Sequence, residues 1–124
     1  RRVEVNRAVL GWAQQHGFRS FVFSDTDATP PLLQQLLLFR AATIVIGPHG
    51  GAEVNAISML PRKSCLIEFY PYQMFGHRRE GCYMPMARAL DIFSVQLLYQ
   101  ELRSSSNLSA LTNNLDACRM QLGA

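Results

Sequence analysis

Apolar residues fall into short runs separated by polar, glycine and proline breaks, and two spacings alternate along the chain. Residues 7–16 read as a helix with Asn6 as N-cap and Gly17 as its stop. Residues 18–24 read as an apolar strand centred on Phe21, Val22 and Phe23, and residues 25–31 as a loop that ends in two prolines. Over residues 32–42 a helix is expected, with Leu32, Leu33, Leu36, Leu37 and Phe39 as a broad apolar stripe opposite glutamines. A β-branched strand over residues 43–46, a glycine-rich turn and a helix over residues 52–60 come next. Residues 64–69 form another strand, residues 84–90 a helix that tolerates Pro85 in its first turn, and residues 92–99 a last strand. This alternation predicts an α/β fold, a parallel sheet with helices on its faces. From Gln100 the character changes: Ser104-Ser105-Ser106-Asn107 is a polar spacer, and residues 108–122 are expected as a short peripheral helix or a tail.

At 124 residues the chain is one domain, with enough apolar residues (48%) to build a core. No apolar run approaches the roughly 18 residues that a membrane span needs. The chain opens on Arg1-Arg2 without a methionine, so a longer protein is expected, with any leader or anchor upstream. The formal charge of +3 suits an anionic ligand such as a nucleotide. No stripe of lysine and arginine marks a nucleic-acid track, so no nucleic-acid partner is expected. Cys65, Cys82 and Cys118 lack metal-type spacing and leave two options, one disulfide with a free thiol or three buried thiols. Asn107-Leu108-Ser109 is a glycosylation sequon, relevant to a lumenal chain.

The chemistry concentrates in residues 43–55, Thr-Ile-Val-Ile-Gly-Pro-His-Gly-Gly-Ala-Glu-Val-Asn. A strand that breaks at Gly47-Pro48 into a glycine pair and then a helix leaves free amides facing an anion, most often phosphate. Gly50 and Gly51 allow close backbone approach, and His49 adds a donor at the same mouth. Asn55 lies one turn into the helix, where it faces either a ligand or solvent. Glu68, late in the apolar strand Leu66-Ile67-Glu68-Phe69, fits a carboxylate that accepts hydrogen bonds from ribose hydroxyls. Asp25-Thr26-Asp27-Ala28-Thr29 supports a rival, a magnesium-dependent phosphohydrolase, and also fits an ordinary loop before a helix. The downstream acidic pair that such a phosphatase needs is missing, since Asp91 and Asp116 stand alone. His16 is expected at a helix C-terminus, and His77 with Arg78 and Arg79 forms a basic cluster in a long loop. Neither a G-x-S-x-G elbow nor a GxGxxG fingerprint is present.

Asn6 opening a helix, Gln35 with Leu36 and Phe39, then Ile44-Val45-Ile46-Gly47-Pro48-His49-Gly50-Gly51, Asn55, Met59, Pro61 and Ile67-Glu68 form an ordered pattern. It resembles glycosyltransferase family 61 over about four-fifths of the chain. The resemblance implies a Rossmann-like parallel sheet with helices on both faces, the C-terminal, donor-binding half of a GT-B enzyme. Residues 1–100 would be that domain and residues 101–124 the tail or peripheral helix. It further implies an inverting, metal-independent transfer of sugar from a nucleotide sugar, typically a UDP-sugar, to a hydroxyl of a glycan or glycoprotein, in the Golgi or endoplasmic-reticulum lumen. Arg2, Gly47, His49, Gly50, Gly51 and Ala52 would surround the diphosphate, Asn55 would orient donor or loop, and Glu68 would hold the nucleoside. His49 is the catalytic candidate. The general base and the acceptor site would belong to an N-terminal domain outside this sequence. Where the family usually reads His-Gly-Ala-Gly and then a hydrophobic residue, this chain reads His49-Gly50-Gly51-Ala52-Glu53. A domain that binds a nucleotide without turnover is the further alternative.

Overall fold

The structure, a computed structural model, describes residues 2–22, 30–48, 51–70, 83–98 and 108–123. Helix α1 (Arg2–Gln15) starts earlier than the sequence suggests, which places Asn6 inside the helix and not at its N-cap. Nothing in Val3-Glu4-Val5 breaks a helix, and Glu4 in the first turn favours the positive end of the helix dipole. Gly17 ends α1 as expected: its φ of +76° suits glycine, and Phe18 N–H closes the turn on the Ala13 carbonyl at 2.8 Å.

The strand expected over residues 18–24 does not form in its described part, residues 18–22. Phe18 instead stacks on Trp12, with ring centroids 5.4 Å apart, so the chain folds back on α1. Phe21 and Val22 are left 62% and 56% exposed. Residues 23–29, with Asp25 and Asp27, lie outside the described residues.

Helix α2 (Leu32–Ala41) leads into strand β1 (Ile44–Pro48), a 3-10 helix (Gly51–Ser58) and strand β2 (Cys65–Tyr70). Helix α3 (Tyr83–Ala89), strand β3 (Phe93–Leu98) and helix α4 (Ser109–Leu122) complete the order. The three strands form one parallel sheet in the order β1-β2-β3, with Gly47 opposite Glu68 and Glu68 opposite Gln96. Helices cover both faces, an α/β arrangement consistent with a Rossmann-like fold.

Strand alternation divides the core. Ile44, Ile46, Cys65, Ile67, Phe69, Phe93 and Leu97 pack with α1 and α4 through Val5, Trp12, Ala13, Leu111, Leu115 and Cys118. Val45 and Leu66 point the other way, to Phe39 of α2, Ala56 and Met59 of the 3-10 segment and its end, and Met84 and Ala87 of α3. Burial on both faces explains why the strands read as continuous apolar runs.

The segment after the serine spacer is a helix built into this core, since α4 buries Leu111, Leu115 and Cys118. Cys118 is joined by a disulfide to Cys65, with Cα atoms 5.9 Å apart and 53 residues between them in sequence. Among the options open to three cysteines, this pair is the one formed among the described residues. Closing a loop of that length stabilises the fold by about 4 kcal/mol in the chain-entropy account. No helix among the described residues is long and apolar enough to cross a membrane.

The leucine stripe of α2 behaves differently from its expectation. Only Phe39 is buried, and Leu32, Leu33 and Leu37 are exposed. The helix packs chiefly on the 3-10 helix, with Phe39 reaching Val45 and Leu66 of the sheet, and it turns Gln35 and the Leu36 carbonyl inward.

Candidate functional site

A parallel sheet directs the carboxyl ends of its strands to one rim, where ligands of open α/β sheets bind. Here those ends are Pro48, Tyr70 and Leu98. The segments that leave them, residues 49–50, 71–82 and 99–107, lie outside the described residues. His49 and Gly50 therefore have no described position, and the same holds for His77, Arg78 and Arg79. Arg2 is the first residue of α1, and its side chain lies outside the described part.

Gly51 and Ala52 open the 3-10 helix, where a longer α-helix over residues 52–60 was expected. The tighter winding has local causes. Ser58 Oγ shares its one proton between the Asn55 carbonyl at 2.7 Å and the Leu36 carbonyl at 2.9 Å, competing with regular α-helical bonding.

Asn55 is 3% exposed, and its Nδ2 donates to Gln35 Oε1 at 2.9 Å. Gln35 Nε2 in turn donates to the Pro30 carbonyl at 2.7 Å. A chain of amides thus ties the entry to α2, α2 itself and the 3-10 helix together. The bond holds the Asn55 side chain between α2 and the 3-10 helix.

Glu68 is 0% exposed, in the carboxyl half of the central strand. Alternation puts it on the face of Leu66, the same face as the 3-10 helix. Gln96 Nε2 donates to Glu68 Oε1 at 2.9 Å from the neighbouring strand. On the other flank stands Gly47, where an added Cβ would meet nothing within 4 Å among the described residues. The row Gly47–Glu68–Gln96 is therefore a buried carboxylate with an amide on one flank and a glycine on the other. One row nearer the amino ends, Ser94 lies across from Leu66, and its buried Oγ has no hydrogen-bond partner.

The structure thus brings Gly47 and Glu68 side by side, one strand spacing apart, and places the 3-10 helix of Gly51, Ala52 and Asn55 over the same face. Gln96 escaped the sequence reading because only the register of β2 with β3 puts it across from Glu68. An apolar strand carrying one glutamine was the available signal.

A separate groove of about 550 Å³ lies between α1 and α4, lined by Arg7, Gln15, Trp12, His16, Thr112 and Asp116 among others. Trp12 Nε1 donates to Asp116 Oδ1 at 2.9 Å, and His16 Nε2 lies 4.0 Å from the same oxygen. His16 also packs on the Trp12 ring, with centroids 4.6 Å apart. Its side chain thus reaches across to α4. This groove is an open seam between two helices.

Comparison of the chain with models of known protein families, with curated proteins and with solved structures finds no match to any of them.

Proposed function

We propose that this chain is the donor-binding part of an inverting, metal-independent glycosyltransferase of the GT-B type, acting on a nucleotide sugar, most simply a UDP-sugar. The observation that carries the reading is the buried carboxylate of Glu68 beside the side-chain-free position Gly47. A glutamate in the carboxyl half of a central parallel strand, beside a glycine on the neighbouring strand, supports a carboxylate that accepts hydrogen bonds from ribose hydroxyls. The strand β1 that flanks it runs directly into His49-Gly50-Gly51, so a ribose on Glu68 would put its diphosphate near that turn. There the amides of residues 50–52, His49 and Arg2 would balance the charge of the departing nucleoside diphosphate. Asn55 supports this by anchoring the 3-10 helix to Gln35.

An inverting transfer needs a base to take the proton of the acceptor hydroxyl. That group and the glycan or glycoprotein acceptor site are assigned to the partner domain of the full-length protein. The Cys65–Cys118 disulfide supports a Golgi or endoplasmic-reticulum lumen, because such bonds persist in oxidising compartments. For the magnesium-dependent phosphohydrolase, the sequence places Asp25 at the end of a strand, and residues 18–22 do not form one.

The test is titration of UDP into the full-length protein in EDTA, followed by transfer and donor-hydrolysis assays with UDP-sugars. UDP binding with donor turnover is expected, and His49→Ala lowers turnover at least about a hundredfold with the fold intact, the scale of losing one transition-state donor. Lack of UDP binding contradicts the reading. Binding without any turnover leaves the non-catalytic alternative, and EDTA-sensitive release of phosphate from an aryl phosphate selects the phosphohydrolase.

A further inference from the structure

The 3-10 helix (Gly51–Ser58) is eight residues long, whereas such winding seldom passes three or four because its hydrogen bonds are poorly aligned. It follows β1, so its first residues open at the carboxyl rim, where open α/β sheets bind their ligands. Bonds from outside hold it. Asn55 Nδ2 donates to Gln35 Oε1 at 2.9 Å, and Ser58 Oγ reaches the Leu36 carbonyl at 2.9 Å. Gln35 Nε2 donates onward to the Pro30 carbonyl at 2.7 Å, so this one side chain is tied at both ends of its amide. Asn55 is buried, and water does not readily replace a bond lost there. Winding also sets reach. A 3-10 helix rises about 2.0 Å per residue and an α-helix about 1.5 Å, so the two differ by about 2 Å between Asn55 and Gly51. A shift of that size takes a backbone amide out of hydrogen-bonding range of a fixed phosphate oxygen.

We propose that Gln35 is a positioning residue: by holding Asn55 it keeps the segment in 3-10 winding and so sets where the amides of Gly51 and Ala52 meet the diphosphate of a nucleotide. The inference rests on the nucleotide-binding reading above and adds to it the residue that fixes the phosphate end of the site. Gln35 acts through Asn55 and is not itself a ligand contact.

The experiment measures dissociation constants of UDP and uridine for the full-length protein and its Gln35→Met variant. The wild-type protein prefers UDP by about a hundredfold, the scale of two charge-assisted hydrogen bonds to the diphosphate. Gln35→Met keeps the length of the side chain and removes its amide. It weakens UDP by about tenfold, the scale of one such bond, and leaves uridine within about twofold, because Glu68 belongs to the sheet and not to the 3-10 helix. Unchanged UDP affinity in folded Gln35→Met, or an equal loss for both ligands, overturns the proposal and leaves the function standing. A wild-type protein that binds neither ligand, or binds both alike, overturns both. Should Gln35→Met not fold, Gln35→Met with Asn55→Leu replaces both partners by apolar groups of similar size, a change that costs little stability. The same selective loss of UDP is expected there. Its absence, or failure of both variants to fold, assigns the pair to the fold alone and overturns the proposal.

Discussion

The two faces of the sheet are built from alternate residues of the same three strands, yet they differ in kind. Toward α1 and α4 the strands present Ile44, Ile46, Cys65, Ile67, Phe69, Phe93 and Leu97, and the face is closed by a disulfide. Toward α2, the 3-10 helix and α3, the amino half carries Val45 and Leu66, while the carboxyl half carries Gly47, Glu68 and Gln96. Burying a carboxylate and an amide costs free energy unless they are hydrogen-bonded, and an apolar row would cost none. The difference teaches a division of labour. The dry face and most of the amino half of the other supply stability, while the carboxylate and amide of Glu68 and Gln96 lie near the rim, with the Ser94 hydroxyl one row deeper. Cys65 and Glu68 sit three residues apart on one strand, about 10 Å, which separates the staple from the carboxylate.

The comparison breaks most clearly at the disulfide. Replacing Cys65 and Cys118 together by alanine lowers the unfolding free energy by about 4 kcal/mol in denaturant titration. UDP affinity of the still-folded fraction stays within about twofold, since the dry face carries no ligand contact. A large parallel loss of affinity would show that the two faces are not separable.

A smaller change, on the polar face, sharpens the same comparison. Among the described residues the new Cβ of Gly47→Ala meets no atom within 4 Å, so the fold accepts it. Stability rises by roughly 0.5 kcal/mol, as glycine within a strand is unfavourable, and UDP affinity falls about tenfold if a ribose is to approach Glu68 past the new methyl group. Equal affinity in wild type and variant would remove the ligand from that position. Ser94→Ala is the mildest test. It deletes a buried hydroxyl without a partner and raises stability by up to about 1 kcal/mol in thermal unfolding, with no effect on binding. A loss of UDP affinity would extend the site one row deeper.

Much of the architecture was legible because local signals and burial agree. The β-branched run at Ile44-Val45-Ile46, the apolar Leu66-Ile67 and the stop at Gly17 all appear where the pattern puts them. Failures occurred where a distant partner decided the outcome. Phe18 follows Trp12 and not a strand, and the α2 leucines stay exposed because Gln35 bonds Asn55 across to the 3-10 helix. Asn6 looks like a cap by residue type, but no breaker precedes it, so α1 runs through it. For the site, Glu68 could be singled out as a charge in an apolar strand. Gln96 and the pairing of Cys65 with Cys118 depend on register and long-range packing, which no local window contains.

The central claim is that a nucleotide lies over Gly47 with its ribose on Glu68. A crystal structure of the full-length protein with UDP tests it most directly. The account predicts ribose oxygens within hydrogen-bonding distance of the Glu68 carboxylate, with the diphosphate leading toward residues 49–52. A ribose bound elsewhere, or a Glu68 carboxylate still sealed from the ligand, would contradict it.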